Sequence, residues 1–451
     1  MTLRNGVTLQ NAVTPGHLGW FGIVRLGLVQ SAIGAIVMLA TSLLNRVMVV
    51  EYALPAALPA GLVAWHYAVQ VSRPIWGHGS DRGQQRTPWI VLGMAALALG
   101  VMMSVAALAL LAAHSPWGMA LAILAFSMIG AGVGAAGTSL LALLATRVAP
   151  ERRAAAAAMT WIMMIAGIVI TAGVAGALID PFSLPRLARV ICGVAGCAFL
   201  VAMAGVWGIE GRAVSARTVS ALAAPHAPRQ SFGAALRDMM ADDDARRFTL
   251  FVFLSMFAYS MQELILEPFA GLLFAYSPGE STRLAGVLHA GVLAGMVVVG
   301  VGGSVLGRRS AETMRLWIVA GCIGSAIALA GLVLAARSGP GWPLAANIAA
   351  LGIGNGVFAV AAIGAMMGLA GANGENREGM RMGVWGAAQA IAFACGGLFG
   401  AVGLDLGRAL IGSTPMTFML VFGAQGLLFL VAASLALRAA PAPAPSRPST
   451  V

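Results

Sequence analysis

The sequence contains no lysine and few charged residues of any kind. Asp, Glu, Lys and Arg together make up 10% of the 451 residues, whereas soluble domains contain about a quarter. Hydrophobic residues reach 59%, and the mean hydropathy is +0.89. This composition excludes a soluble globular domain and predicts a protein embedded in a lipid bilayer.

Cysteine is also scarce, and its spacing fits neither a disulfide framework nor a zinc site. All four cysteines lie in apolar runs, where they are expected to be small buried hydrophobic residues. The net charge of +11 is carried by arginine alone. The arginines flank apolar segments instead of forming one basic face, which argues against binding to nucleic acid.

Uncharged stretches long enough to cross a bilayer recur along the whole chain. A helix needs about 20 apolar residues to span the hydrocarbon core. By this criterion the sequence predicts twelve spans: 28–50, 56–75, 89–112, 117–146, 154–179, 187–209, 248–275, 283–306, 316–336, 342–370, 383–407 and 414–438. We therefore predict an all-α integral membrane protein with twelve transmembrane helices.

The arginines predict how these helices are oriented. An even number of spans places both termini on one side of the membrane. That side receives 21 arginines, the opposite side five, and Arg46 lies inside the first span. Because positively charged loops remain in the cytoplasm, both termini are expected there, in a bacterial inner membrane.

The chain also matches itself at an offset of about 223 residues. Glu151 precedes Trp161 by the same ten residues that separate Glu375 from Trp385, and His66 corresponds to His289. Such a repeat predicts two six-helix halves in the same orientation, related by a pseudo-two-fold axis. The predicted organisation is a cytoplasmic N-terminal segment, the two halves joined by a cytoplasmic linker, and a disordered tail: 1–27, 28–209, 210–247, 248–438 and 439–451.

The connection after the second predicted span supports the same architecture. Gly77, Asp81, Arg82 and Arg86 resemble the loop signature of the major facilitator superfamily. In that signature a glycine permits close helix packing, and the charged residues clasp neighbouring helix ends in one conformational state. The resemblance implies a gating role for these residues in the first half, whereas in the second half Ser304 stands where Asp81 would be.

Several segments are similar to the PucC/LhaA family, the bacteriochlorophyll-delivery branch of that superfamily in phototrophic bacteria. They are residues 42–51, 66–70, 77–81, 86–89 and 262–269. The resemblance extends over nearly all of residues 17–438. It implies that the protein delivers bacteriochlorophyll to light-harvesting antenna polypeptides, or chaperones them, in a photosynthetic membrane. The implied partners are the pigment, the antenna polypeptides and pigment-biosynthesis enzymes.

Polar residues inside predicted spans are functional candidates because they are costly in lipid. Arg46 lies about 27 Å along the first span, and Glu263 and Glu267 lie about 22 and 28 Å along the seventh, at 1.5 Å per residue. We expect three residues of the first half to meet three of the second: Asn45, Arg46 and Glu51 with Gln262, Glu263 and Glu267. The alternative is that these charges simply reach the membrane interface.

Two histidines occupy matched positions in the repeat. His66 lies about 15 Å into the second span, near the middle of the bilayer. A neutral imidazole there is able to ligate the magnesium of bacteriochlorophyll, and His289 is its counterpart in the eighth span. The alternative is a histidine that forms hydrogen bonds within a helix interface.

No enzyme signature stands out. The chain lacks a phosphate-binding loop, a nucleotide-binding glycine motif and a recognisable catalytic triad. A prenyl-transferring synthase would need acidic magnesium ligands, for which Asp242–Asp244 is the one candidate cluster. The alternative to an antenna assembly factor is therefore a secondary transporter of a small solute.

The predicted topology is testable with reporter fusions. A reporter placed after Arg229 is expected to be active in the cytoplasm, because it falls in the connection between the halves. A reporter after Ser338 is expected to be active in the periplasm. Reversed activity at either position would contradict the topology.

Overall fold

The computed structural model describes residues 18–72, 85–148, 153–210, 243–305, 311–371 and 378–438. The described chain is helical throughout, with short connections. The helices are α1 (Trp20–Glu51), α2 (Ala57–Val69), α3 (Thr87–Ala112), α4 (Trp117–Arg147), α5 (Arg153–Leu178), α6 (Leu184–Val206), α7 (Asp243–Phe274), α8 (Pro278–Val305), α9 (Ala311–Ser338), α10 (Leu344–Gly371), α11 (Glu378–Ile411) and α12 (Thr414–Arg438).

These helices confirm the predicted membrane architecture. Eleven of the described helices are long and apolar enough to cross a bilayer, and α2 is a shorter apolar helix within its described part. Helices suit this environment because all their backbone hydrogen bonds are internal, and lipid offers no substitute partners. The protein is a multi-pass membrane protein.

The first helix begins earlier than the sequence predicts. The predicted uncharged span starts at residue 28, whereas α1 begins at Trp20 and includes Arg25. The Arg25 guanidinium donates hydrogen bonds to the carbonyl oxygens of Ala204, at 3.1 Å, and Trp207. These carbonyls end α6, where a cation satisfies unpaired acceptors and interacts favourably with the helix dipole. Arg25 is thus part of the bundle, and the expected N-terminal segment 1–27 is too long.

The second part of α1 is irregular. Its backbone forms two π-helical segments, Leu39–Leu43 and Val47–Glu51, separated by three α-helical residues. Both π-helical segments contact α7. Such wide turns are uncommon and occur often at functional sites.

The helices form two bundles, α1–α6 and α7–α12, which meet along α5–α8, α2–α11 and α1–α7. Matching glycines hold equivalent helices close together in each half. Gly130 packs against the carbonyl oxygen of His66, and Gly352 packs against that of Leu288. A β carbon at either glycine would collide with the facing backbone.

We call the two ends of the helix bundle the terminal face and the opposite face. The terminal face contains the start of α1 and the end of α12. The opposite face contains the connections that follow the odd-numbered helices. Of the predicted linker 210–247, residues 211–242 lie outside the described residues, as do 1–17 and the predicted tail 439–451.

Candidate functional site

A small cavity lies between the two halves. Side chains from α1, α5, α7 and α8 line it, and the polar residues among them are Thr41, Ser42, Glu263, Glu267 and His289. Its volume is about 40 Å³. That is room for a few water molecules and far below the roughly 300–1,000 Å³ of pockets that enclose drug-sized ligands.

Glu267 joins the two halves at one wall of this cavity. Its side chain is 2% exposed. The Ser42 hydroxyl of α1 donates a hydrogen bond to Oε1, and the Thr282 hydroxyl of α8 lies 3.5 Å from Oε2. Asn45 makes a second link between the halves, because its Nδ2 donates to the Leu264 carbonyl at 2.7 Å.

Arg46 lies one turn beyond Ser42, toward the opposite face. Its guanidinium pairs with Glu51 of the same helix and donates to the Ser281 hydroxyl at 3.1 Å and to the Tyr276 carbonyl at 2.6 Å. Arg46 is 2% exposed, so protein groups enclose its guanidinium. It is part of a hydrogen-bonded network and does not extend into solvent.

The predicted partners of Arg46 need correction as well. Arg46 meets the second half, but through Tyr276 and Ser281 instead of a direct ion pair with Glu263 or Glu267. Tyr276 lies in the turn between α7 and α8, and Ser281 lies in the first turn of α8. Both residues fall outside the predicted spans, so the span pattern offered no signal for them.

The other two predicted residues of α7 face different surroundings. Glu263 lines the cavity and makes no hydrogen bond within the described residues. Gln262 is 1% exposed, and neither atom of its amide has a partner in the described part of the chain. Gln262 therefore makes no hydrogen bond to the first-half residues that are predicted to pair with it.

The two repeat-related histidines differ in their bonding. In His66 both ring nitrogens are engaged: Nδ1 lies 3.1 Å from the Val63 carbonyl and Nε2 lies 2.9 Å from the Gln70 amide. Within the described residues His289 uses only Nδ1, at 2.9 Å from the Ala285 carbonyl, and it lines the cavity. Both of these His66 contacts are local, to residues three and four positions away, and they leave no unengaged ring nitrogen for a magnesium ion.

Of the predicted loop residues, Gly77, Asp81 and Arg82 lie outside the described residues, and Arg86 lies at the start of α3. The backbone N–H groups of Arg86 and Thr87 donate to the Glu210 carboxylate at 2.7–2.9 Å. The Arg86 side chain donates to the Ala142 carbonyl. Arg86 thus helps to join α3, α4 and the end of α6 at the terminal face.

Sequence reasoning missed two carboxylates that cap helices across the halves at the opposite face. Asp405 of α11 accepts the backbone N–H groups of Ala56 and Ala57, at 3.0 and 2.7 Å, where α2 begins. A carboxylate at a helix N-terminus satisfies unpaired donors and interacts favourably with the helix dipole. The second half thereby caps a helix of the first.

Asp180 makes the reciprocal contact. It follows α5 and accepts the Gly279 N–H at 3.1 Å, together with the Ser277 hydroxyl, where α8 begins. Ala56 and Gly279 are 223 positions apart, and Asp180 and Asp405 are 225 apart, so the two caps are equivalent in the repeat. That near-identical offset is the sequence signal by which both aspartates were detectable.

Comparison with known proteins gives a consistent family. The model of the PUCC protein family matches residues 43–441. The chain is 50% identical over 436 residues to the "Bacteriochlorophyll synthase 44.5 kDa chain" of Rhodobacter capsulatus, covering 96% of this chain and 99% of that protein. It is 32% identical to "Protein PucC" of the same organism, with coverage of 92% and 91%.

Solved structures support the fold. A peptide transporter POT in complex with sulfate has a TM-score of 0.66 at 14% identity, with coverage of 94% of this chain and 95% of that one. An inward-facing, occupied bacterial homologue of the human lysosomal transporter Spinster has a TM-score of 0.63 at 16% identity, with coverage of 92% and 96%. The architecture is the major facilitator fold.

The reciprocal caps predict that losing one of them lets the two halves separate more often at the opposite face. Spin labels on Leu178→Cys and Leu410→Cys, with the native cysteines replaced by alanine, report the distance between the halves at the opposite face. Replacing Asp405 by alanine removes a cap worth about 1–2 kcal/mol, so the separated population is expected to rise roughly fivefold to thirtyfold.

A matched control is Ser183→Ala. The Ser183 hydroxyl accepts the Arg186 N–H at 3.3 Å, a helix cap within its own half. This variant is expected to leave the distance distribution unchanged. Equal effects of Asp405→Ala and Ser183→Ala would show that the inter-half caps do not hold the halves together.

Proposed function

The chain belongs to the PUCC protein family, and from that premise we propose that it is a light-harvesting antenna assembly factor. In this role it hands bacteriochlorophyll to antenna polypeptides, or holds them while the pigment is inserted. The observation that carries the proposal is the family match, which extends across both halves. The relative named as a bacteriochlorophyll synthase chain is 50% identical to this chain in an alignment that covers 99% of that relative. Its name supports a link to the pigment.

The pigment does not fit the cavity between the halves. A volume of about 40 Å³ is far too small for a tetrapyrrole macrocycle, and both ring nitrogens of His66 are engaged. We therefore place pigment and antenna polypeptides on the outer, lipid-facing surface of the helices. An apolar pigment and single membrane helices both reach this surface by diffusing within the bilayer.

The proposed setting follows from the same premise. Both termini lie in the cytoplasm, as the arginine distribution predicts, and the protein is located in the photosynthetic membrane. Its partners are the antenna polypeptides and bacteriochlorophyll, with pigment-biosynthesis enzymes as a source of the pigment. The chain itself is proposed not to be an enzyme.

Two other functions are supported by single observations. The synthase name of one relative favours an enzyme that completes the pigment. The cavity with two carboxylates between the halves favours a secondary transporter. Both alternatives make predictions that differ from those of an assembly factor.

Deletion of the gene in its phototrophic host separates the three functions. For an assembly factor we expect antenna absorption in intact membranes to fall severalfold, while solvent extracts still contain mature bacteriochlorophyll. Expression of the chain from a plasmid is expected to restore the antenna. The measurements are membrane absorption spectra and pigment analysis of the extracts.

Other results would contradict the proposal. If mature pigment disappears and a precursor lacking its prenyl chain accumulates, the chain acts in synthesis. If both antenna and pigment are unchanged, the transporter alternative is favoured and antenna assembly is excluded.

His66 provides a test at the level of one residue. Because its nitrogens bond to Val63 of α2 and to Gln70 directly after α2, His66→Leu is expected to lower the amount of inserted protein. Antenna yield per inserted protein is expected to stay unchanged. The comparison needs immunoblots and membrane spectra of the same preparations, with Gln70→Leu as a control that breaks the same contact. A lower yield per inserted His66→Leu protein, with normal yield for Gln70→Leu, would restore His66 as a pigment ligand.

A further inference from the structure

The polar groups that line the cavity between the halves are all hydrogen-bond acceptors. Thr41 and Ser42 carry the two hydroxyl groups that α1 contributes to the lining. Each hydroxyl already donates its proton in a hydrogen bond to a protein acceptor. Thr41 donates to the Val37 carbonyl at 3.0 Å, and Ser42 donates to Glu267. Each hydroxyl therefore offers only oxygen lone pairs to a ligand.

His289 adds a nitrogen acceptor. Its Nδ1 lies 2.9 Å from the Ala285 carbonyl oxygen. A carbonyl oxygen only accepts hydrogen bonds, so Nδ1 carries the proton and Nε2 of the neutral ring presents a lone pair. His289 is 8% exposed and lines the cavity, and Nε2 has no partner among the described residues.

Glu263 and Glu267 contribute carboxylate oxygens. Glu267 is held by Ser42 and Thr282, whereas Glu263 makes no hydrogen bond within the described residues. The nearby cation, Arg46, uses its guanidinium on Glu51, Ser281 and Tyr276. The remaining lining residues are apolar. With Glu263 and Glu267 ionised, the cavity therefore presents acceptors and negative charge, and its lining side chains then offer no donor.

We infer that this cavity binds a small cation that carries N–H donors, of the primary-ammonium type. Such a ligand supplies both the charge and the donors that the lining lacks. Within the described residues, no three His, Cys, Asp or Glu side chains are arranged around one metal position, so a directional N–H donor suits the site better than a bare metal ion. The volume limits the ligand to an ammonium or methylammonium-sized group.

Cation binding at this site is a function beyond antenna assembly, and the inference does not depend on the proposed assembly role. The direct test is binding of radiolabelled methylammonium to the purified full-length protein in lipid nanodiscs. We expect saturable binding that ammonium competes with. Tetramethylammonium and sodium at equal ionic strength are expected not to compete, since neither has an N–H donor.

A variant of a lining residue tests whether the cation binds in the cavity, with Glu312→Gln as its control. Glu263→Gln keeps the size of the side chain but removes a charge and introduces a donor, so its affinity is expected to fall at least about tenfold. Glu312→Gln removes an exposed carboxylate of α9 in the same half and is expected to bind like the unmodified protein. If Glu263→Gln does not insert, Thr41→Val removes one acceptor at nearly constant volume and is expected to weaken binding severalfold.

Three results would overturn the inference. One is the absence of saturable methylammonium binding by the unmodified protein. Another is equal competition by tetramethylammonium or sodium, which would indicate unspecific charge attraction. The third is unchanged affinity in Glu263→Gln, or in Thr41→Val where that variant replaces it.

Discussion

The arrangement of the two halves depends on backbone N–H groups that need partners where helices begin. In and near a bilayer an unpaired donor is costly, and here each half supplies a carboxylate to the other. Asp405 caps α2, and Asp180 caps α8. These caps join the halves at the opposite face. The Arg46 contacts with Tyr276 and Ser281 reinforce the same junction.

The duplication preserved this backbone chemistry but not the side chains of the interior. His66 is bonded within its own helix, whereas its counterpart His289 presents a nitrogen acceptor toward the cavity. The two carboxylates of the cavity, Glu263 and Glu267, both come from the second half. The interior is thus specialised on one side, although the outer architecture remains nearly two-fold. We interpret the outer surface as the part that serves assembly and the interior as a separate binding site.

The sequence was sufficient to predict the helices, because uncharged runs and arginine boundaries follow directly from the cost of charge in lipid. It also predicted that Arg46 lies level with Glu263 and Glu267 of α7, because helix rise converts residue number into depth. The partners of Arg46 were not predictable in this way: Arg46 lies between two π-helical segments, and its acceptors in the second half lie in the turn after α7 and at the start of α8. The caps were missed because a carboxylate that binds backbone N–H groups leaves no side-chain motif.

The central claim is that antenna assembly takes place on the outer surface of a bundle whose halves remain closed at the opposite face. A covalent lock tests it directly. Cysteines at Ala57 and Asp405, in a chain without its native cysteines, replace one inter-half cap with a disulfide. The measurement is antenna absorption in membranes that contain only the locked protein, before and after reduction. We predict equal antenna formation in both states. Loss of the antenna in the locked protein, with recovery after reduction, would contradict the account and require the halves to separate.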